Sequence, residues 1–302
     1  MEHERMLNSF LNTIAKKDVF QEKKVHGYIC SMTLEEKEKL VRRLHFFLIN
    51  GETIESLAEA YLAFCNYFAE ERVHFVRTGT YRYHSSAETL PLYENPQYMH
   101  NYMIALGLSV YMWKIQREIM RFFLKACKNC TITGGRYLEV GPGHGEYFVS
   151  AMEHTNFAQY IGVDISETAA TLSRKFVEYA VKGKKNFEIV KKDFFDFKAE
   201  ERFQGIILGE ILEHVENPLA FLKKIYELAD DNAFIYLTTA INSPYPDHIY
   251  HFHNAEEIYQ LFEQANLRVK EEIYTTADGI SLERAIRKNF DIVAGFILEK
   301  RT

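Results

Sequence analysis

Glu139-Val140-Gly141-Pro142-Gly143-His144-Gly145 is the stretch on which the reading of the chain turns. It follows a short apolar run, Tyr137–Val140, and precedes a helical one, Glu146–Met152. Glycines at a strand-to-helix junction let the backbone turn tightly and approach a ligand with no Cβ in between. The dinucleotide pattern G-x-G-x-x-G would place its third glycine at position 146, which is Glu146; here the third glycine is Gly145. Glu139, two residues before the first glycine, suits a cationic ligand better than a pyrophosphate. The bland alternative is an ordinary strand-to-helix turn.

Working outward, the segment after residue 131 alternates strand and helix. Strands are expected at Tyr137–Val140, Tyr160–Asp164, Phe187–Lys191, Gly205–Leu208, Phe234–Thr239, Arg268–Thr275 and Phe290–Leu298. Helices are expected at Glu146–Met152, Thr168–Val181, Pro218–Leu228 and Ala255–Gln264. This alternation predicts an α/β fold, a doubly wound and mostly parallel seven-stranded sheet. The last two strands, with no helix expected between them, predict an antiparallel edge pair. Ligands in such sheets bind at the carboxyl ends of strands, near the switch in strand order. Asp164, in Gly162-Val163-Asp164-Ile165-Ser166, ends the second strand and can accept both hydroxyls of a ribose. Asp193 ends the third and can accept from an adenine amino group, with Phe194 packed on the ring. Taken singly, each acid is more often a helix cap or a solvated turn; in series after successive strands, the functional reading is stronger.

Before residue 131 the periodicity is helical. An amphipathic run covers Glu4–Lys16, a Thr33/Glu36 capping box opens a helix that ends at Gly51, and another helix covers Ile54–Val76. A polar, Tyr-rich stretch, Arg77–Glu94, follows. Asn95-Pro96 then starts a helix expected to run to Cys127. The expected organisation is an all-helical domain at 1–130, serving as substrate cap or oligomerisation unit, and a cofactor-binding domain at 131–302. The aromatic residues of Tyr81–Tyr102 and the helix beyond are either lid and pocket wall or simply a helical core.

The motifs Glu139–Gly145, Asp164, Asp193 and Gly209-Glu210-Ile211-Leu212-Glu213-His214-Val215 resemble those of the class I, Rossmann-like S-adenosylmethionine-dependent methyltransferases. The resemblance covers a little over half the chain. It implies that Glu139, Gly141, Gly143 and Gly145 hold the methionine part of the cofactor, Asp164 and Ile165 the ribose, and Asp193 and Phe194 the adenine, with Gly209 beside them. It implies a methyltransferase of the EC 2.1.1.- group. The first 130 residues match no family known to us.

Two further segments fall after the fourth and fifth strands: Glu210-x-x-Glu213-His214 and Asp247-His248-Ile249-Tyr250-His251-Phe252-His253. If a helical turn begins at Glu210, then Glu210, Glu213 and His214 share a face. Glu210, Glu213, His214 and His248 are the candidate catalytic residues on the acceptor side. Three readings stay open: a divalent metal on this set, as in the small-RNA 2′-O-methyltransferases it resembles; a histidine general base; or a structural cluster. A metal is not the favoured reading.

The bulk numbers narrow the partner class. The chain has 302 residues, enough for two domains, and a formal charge of -6 with 36 Lys+Arg against 42 Asp+Glu. Such a chain has no global attraction to nucleic acid or anionic membrane. No stretch reaches the ~18 apolar residues of a membrane span, and Met1–Phe20 lacks the pattern of a secretory signal. Cys127 and Cys130 form a lone C-x-x-C, and with Cys30 and Cys65 they read as reduced thiols rather than a zinc site. The expectation is a cytoplasmic enzyme that moves a methyl group to an oxygen or nitrogen of a small-molecule acceptor, aromatic or amino-acid-derived. A homodimer through the helical domain is an alternative role for that domain. Rival functions are attack on the cofactor's aminobutyryl carbon, in alkyl transfer or cyclisation, and a non-catalytic regulator that binds the cofactor.

Overall fold

A computed structural model describes residues 2–183 and 186–301. Seven helices come first: α1 (Glu2–Lys17), α2 (Val19–Ser31), α3 (Leu34–Ile49), α4 (Ile54–Thr78), α5 (Ser86–Glu94), α6 (Pro96–Met112) and α7 (Lys114–Asn129). Then follow β1 (Arg136–Val140), α8 (Glu146–His154), β2 (Gln159–Asp164), α9 (Glu167–Val181), β3 (Phe187–Lys191), β4 (Phe203–Gly209), α10 (Pro218–Leu228), β5 (Ala229–Ile241), α11 (Ala255–Gln264), β6 (Leu267–Thr276), α12 (Leu282–Lys288) and β7 (Ile292–Lys300).

The strands form one sheet in the order β3-β2-β1-β4-β5-β7-β6. β1 to β5 pair in parallel, and β7 runs antiparallel to both β5 and β6. The mostly parallel seven-stranded Rossmann-like sheet is therefore as expected, with the reversed strand one place in from the edge. The chain reverses its direction of travel across the sheet between β1 and β4, the switch point.

Four sequence expectations change. The helix expected from Asn95 to Cys127 is two helices, because Trp113 is extended (φ −92°, ψ 131°). The break is stabilised from both sides. The Arg117 guanidinium donates to the freed carbonyls of Tyr111 and Met112, and the Trp113 indole donates to Tyr61. The Tyr-rich stretch contains α5, which tolerates Pro91 inside it. α2 is an additional helix, capped by Asp18, whose carboxylate accepts from Phe20 and Gln21 N–H. α12 lies between the last two strands, capped by Ser281. The signals read correctly include the Thr33/Glu36 capping box and the Asn95 cap with Pro96 behind it.

Side-chain alternation in the sheet builds two cores. Leu138, Ile161, Ile206, Ile235 and Leu237 face α10 and α11. Tyr137, Tyr160, Ile207 and Tyr236 face the opposite way, towards α7, α8 and α9. The second core does not stop at the sheet's own helices. It continues without a break into Phe10, Ile14, Leu40, Phe46 and Tyr61 of the N-terminal helices. α7 packs directly on β6 and β7 and so belongs to the sheet's covering layer.

A buried ion pair ties the two parts further. Arg43 of α3, 2% exposed, donates twice to Glu146 Oε1 (2.9 and 2.7 Å) at the first turn of α8. Its Nη2 also donates to the His144 carbonyl at 2.8 Å, inside the Gly-rich turn. Tyr111 donates to the other Glu146 oxygen at 2.8 Å. Burial alone would raise the Glu146 carboxyl, but Arg43, Arg42 and Tyr111 together hold it below its usual range. Removing one partner of such a buried pair costs about 3–5 kcal/mol, because the other charge is left uncompensated. Gly107 on α6 is part of the arrangement: a Cβ there would come within 3.3 Å of Arg43 Nε.

Among the described residues no helix is long and apolar enough to cross a membrane. All four cysteines are free.

Candidate active site

A cavity of about 1080 Å³ lies where the carboxyl ends of the strands meet α4, α5 and α6. That exceeds the roughly 300–1,000 Å³ of a site for one drug-sized ligand, so two ligands can share it. Its walls divide at the switch point.

On the β1–β3 side the wall is largely main chain. Gly141, Gly143, Asp164, Ile165, Asp193 and Phe194 line it, and Gly209 lines the cavity at the end of β4. Gly141 has φ +64°, and a Cβ there would stand 2.4 Å from Ile211 Cδ1. Gly143 has φ +48°, and its N–H donates to Asp164 Oδ2 at 3.2 Å. The other Asp164 oxygen accepts from Ser166 N–H at 2.9 Å. A carboxylate offers about four lone-pair sites, so Asp164 keeps acceptor capacity for a ligand. Asp193 is exposed, and its Oδ1 takes the Phe195 N–H at 2.7 Å.

Two expected cofactor residues stand behind the wall. Glu139 is 1% exposed, accepts the Tyr137 hydroxyl and does not reach the cavity. Burial pushes its carboxyl up to about 8. Gly145 (φ +77°) allows close packing on α9, where a Cβ would come 3.1 Å from Ser173 Oγ. Phe194 is packed on Phe221 with ring centroids 4.9 Å apart, while its neighbour Phe195 is half exposed and also lines the cavity. Phe195 was not singled out in the sequence, although it adjoins a residue that was.

On the β4–β5 side the wall is side chains. No helical turn begins at Glu210. That residue is left-handed (φ +55°), and a single 3-10 turn covers Leu212–His214. Glu210 and His214 line the cavity, but Glu213 points behind it, fully buried, and accepts the Thr239 hydroxyl at 2.8 Å. Burial raises both carboxyls, and the nearby Glu210 raises Glu213 further. His248 lines the cavity with its Nδ1 2.7 Å from the Ser243 carbonyl. A carbonyl only accepts, so Nδ1 carries the proton. Burial, then the nearby His214, pull His248 down to about 3, which keeps its ring neutral. His214 Nδ1 likewise faces a carbonyl, that of Asp247, at 3.1 Å.

Asp247 was not singled out as a site residue, and Tyr93 was covered only by the reading of Tyr81–Tyr102 as lid and pocket wall or helical core. Asp247 is 1% exposed, and its Oδ2 accepts from Tyr93 (3.1 Å) and Tyr102 (3.0 Å) and lies 3.5 Å from His214 Nδ1. Its position at the head of Asp247–His253 was the available signal.

A profile described as a methyltransferase domain matches residues 112–272, more than half of the chain. The chain belongs to this methyltransferase family. Similar solved structures include the mitomycin 7-O-methyltransferase MmcR, 14% identical, with 82% of this chain and 71% of that one covered and a TM-score of 0.57. Others are the N-methyltransferase NodS of Bradyrhizobium japonicum WM9 (15% identical, 63% and 91% covered, TM-score 0.49) and the magnesium protoporphyrin IX methyltransferase ChlM of Synechocystis PCC 6803 (13% identical, 62% and 83% covered, TM-score 0.48). At these identities the likeness is one of fold. No curated protein matches.

S-adenosylmethionine is the cofactor of the methyltransferase. The β1–β3 wall fits it: a main-chain cradle at Gly141 and Gly143, whose positive φ angles favour glycine, a carboxylate beside it, and an exposed acid with an aromatic ring farther along.

Proposed function

We propose that this methyltransferase methylates an oxygen or nitrogen of a small-molecule acceptor bound between the ends of β4 and β5 and the helices α4–α6. The carrying observation is the orientation of His214. Its Nδ1 proton is committed to the Asp247 carbonyl, and Nε2 has no hydrogen-bond partner among the described residues. His214 lines the cavity, so that lone pair is available to an acceptor's hydroxyl or amine proton.

Gly141, Gly143 and Asp164 hold the methionine and ribose ends, and Asp193 with Phe194 and Phe195 the adenine end. When bound, the cofactor supplies a methyl group activated on a cationic sulfonium. His214 then takes the acceptor's proton, and the Asp247 carboxylate beside it stabilises the resulting imidazolium. The hydroxyls of Tyr93 and Tyr102 fix that carboxylate in place. The helices α4–α6 exclude water and hold the acceptor in reach of the methyl, which is the larger part of the catalytic task in such a transfer.

His214→Ala tests this. Turnover falls on the order of a hundredfold, the usual scale of a lost acid–base group. Affinity for S-adenosylhomocysteine stays within a few-fold. Normal turnover in the variant removes the base role. The product separates the rival chemistries: S-adenosylhomocysteine from methyl transfer, methylthioadenosine from attack at the aminobutyryl carbon, and neither from a regulator.

A divalent cation is the second reading. One ligand atom each from Glu213, His214 and His248 lie within 4.8 Å of one another, and Glu213 Oε1 is buried without a partner. Both imidazoles direct Nδ1 at a carbonyl, which is how metal-bound histidines are commonly oriented. Such a cation would polarise an acceptor hydroxyl in place of the base. Turnover unchanged in excess EDTA supports the base; loss with recovery on added magnesium or a transition ion supports the cation.

A further inference from the structure

The cavity is longer than the transfer of a methyl group requires. The end of β5, the start of β7 and the end of β6 stand level, with Ile241 paired to Ile292 and Ile292 to Thr276. Along this edge of the sheet the cavity begins beside Asp193, after β3, and passes Asp247, after β5. It continues to Asp291, just before β7, and to Ala277 and Asp278, just after β6. The cofactor accounts for the part over β1–β3, and the proposed reaction centre for the part over β4 and β5. The part over β7 and β6 is left over. Neighbouring strands lie about 4.8 Å apart, so it extends roughly 10 Å beyond β5.

The same length follows from α6. One face of this helix lines the cavity, through Met99, Tyr102, Met103, Leu106, Ser109 and Val110, at the spacing of three and four that neighbours on a helix surface have. The face starts at the cofactor cradle, where a Cβ on Gly143 would stand 3.8 Å from Met103 Sδ. It passes the reaction centre at Tyr102, whose hydroxyl donates to Asp247 Oδ2 at 3.0 Å. From Tyr102 to Val110 the helix rises about 12 Å. Beyond Val110 the lining passes to Trp113, at the break between α6 and α7, and to Tyr28 of α2.

This outer lobe has apolar walls. The Trp113 ring lies 5.6 Å from Phe68 and 5.1 Å from Phe64, both on α4. Cys65, Ile115 and Val293 add to the lining. Arg72 also lines it but is engaged: it donates to the carbonyls of Asn242 (3.0 Å) and Asn289 (2.7 Å) and lies 3.6 Å from Asp291. Lys24 and Asp278, exposed and opposite in sign, mark where the lobe opens to water. A compact polar acceptor would leave this apolar surface wet. An apolar chain would cover it, and each methylene fully withdrawn from water tightens binding about fourfold.

We infer that the acceptor is an elongated molecule. Its nucleophile stands at His214, and an apolar chain runs from there over β7 and β6, through the lobe between α2, α4 and the α6–α7 break. The inference rests on the proposed function for the position of the nucleophile.

Two phenols of different reach test it: 4-ethylphenol, which ends short of the lobe, and 4-heptylphenol, which extends through it. Each is titrated calorimetrically into the full-length protein saturated with S-adenosylhomocysteine. The heptyl compound is expected to bind at least thirtyfold more tightly than the ethyl compound. Ala277→Trp brings an indole into the lobe from the end of β6, and Cys65→Trp does so from α4 should the first substitution disturb the β6–α12 connection. Either is expected to reduce the gain to threefold or less, with the affinities for 4-ethylphenol and S-adenosylhomocysteine unchanged. The unchanged affinities show that the variant is folded. The inference is overturned if the heptyl compound binds no more tightly than the ethyl one, or if its gain survives both substitutions, which would make it ordinary hydrophobic adsorption. Equal binding of the two phenols counts against this inference alone, whereas binding of neither counts against the proposed acceptor site as well.

Discussion

At the ends of β1, β2 and β3 the cavity wall is largely backbone, with two aspartates and two phenylalanines beside it, supplied by motifs a few residues long. At the ends of β4 and β5 it is imidazoles, carboxylates and rings, several of them brought from helices more than a hundred residues away. Asp247 takes its two phenols from Tyr93 and Tyr102, and His214 shares one of them. The first arrangement suits a ligand that never changes, since turn geometry repeats wherever the same few residues recur. The second suits an acceptor peculiar to this chain, because each contact is a separate choice of side chain on a separate element. The two sides should therefore fail independently under mutation.

The largest expected effect is on the β4–β5 side: the hundredfold loss of turnover in His214→Ala, with cofactor affinity nearly unchanged. A comparable loss of cofactor affinity in that variant would break the division, because it would make His214 part of both sides. Gly143→Val is the reciprocal test. A branched side chain enters the cradle, and S-adenosylhomocysteine affinity measured by calorimetry should fall more than tenfold. Retained affinity in a folded variant would remove the cradle assignment.

A smaller effect sharpens the adenine end. Phe194 is packed on Phe221 and Phe195 is half exposed in the cavity. Phe194→Ala should cost about 3–5 kcal/mol of stability in a denaturant melt, the scale of a deleted core phenyl ring. Phe195→Ala should leave stability nearly unchanged and weaken the cofactor severalfold. The reverse pattern would assign the adenine contact to Phe194 alone.

The smallest effect concerns Glu139, which sits behind the cofactor wall. Its folded-state value, raised to about 8 by burial, lies above the ordinary 4.5. The unfolded chain therefore releases this proton before the folded one does. The stabilisation is fully present below about pH 4.5 and is lost as pH rises to about 8. Glu139→Gln keeps the Tyr137 hydrogen bond and removes the titration. Its melting temperature should decline less than that of the wild type across that window. Parallel curves would mean that Glu139 is ionised in the folded protein.

The same contrast explains what the sequence made legible. The strand-and-helix alternation and Glu139–Gly145 rest on neighbours in the chain, and they led to the sheet and to five of its lining residues from Gly141 to Asp193. The Asn95-Pro96 start signal was equally local. The end of that helix at Trp113 was not, because the groups that make a break tolerable, Arg117 and Tyr61, act through folded geometry. The turn at Glu210 departed from expectation for a similar reason. Its N–H is drawn to Thr238 on β5 (2.9 Å to Oγ1), which overrides the helical spacing of Glu210, Glu213 and His214. Asp247 stood in view beside His248, but nothing near it in the chain announces the two tyrosines that make it a site.

The Arg43–Glu146 pair has a consequence for anyone who would exchange acceptor specificities by grafting helical caps between related enzymes. A cap transplanted without an arginine at the position of Arg43, and without the small residue at Gly107 that makes room for it, would leave a carboxylate sealed in the interior opposite an unmatched partner. The host would then be damaged at the turn that cradles its cofactor, since the same guanidinium also holds the His144 carbonyl. Such chimaeras would lose the shared half of the chemistry before revealing anything about the half that was exchanged. A graft should therefore keep α3, Gly107 and α8 as one inherited unit and vary only the aromatic lining carried by α4 and α6.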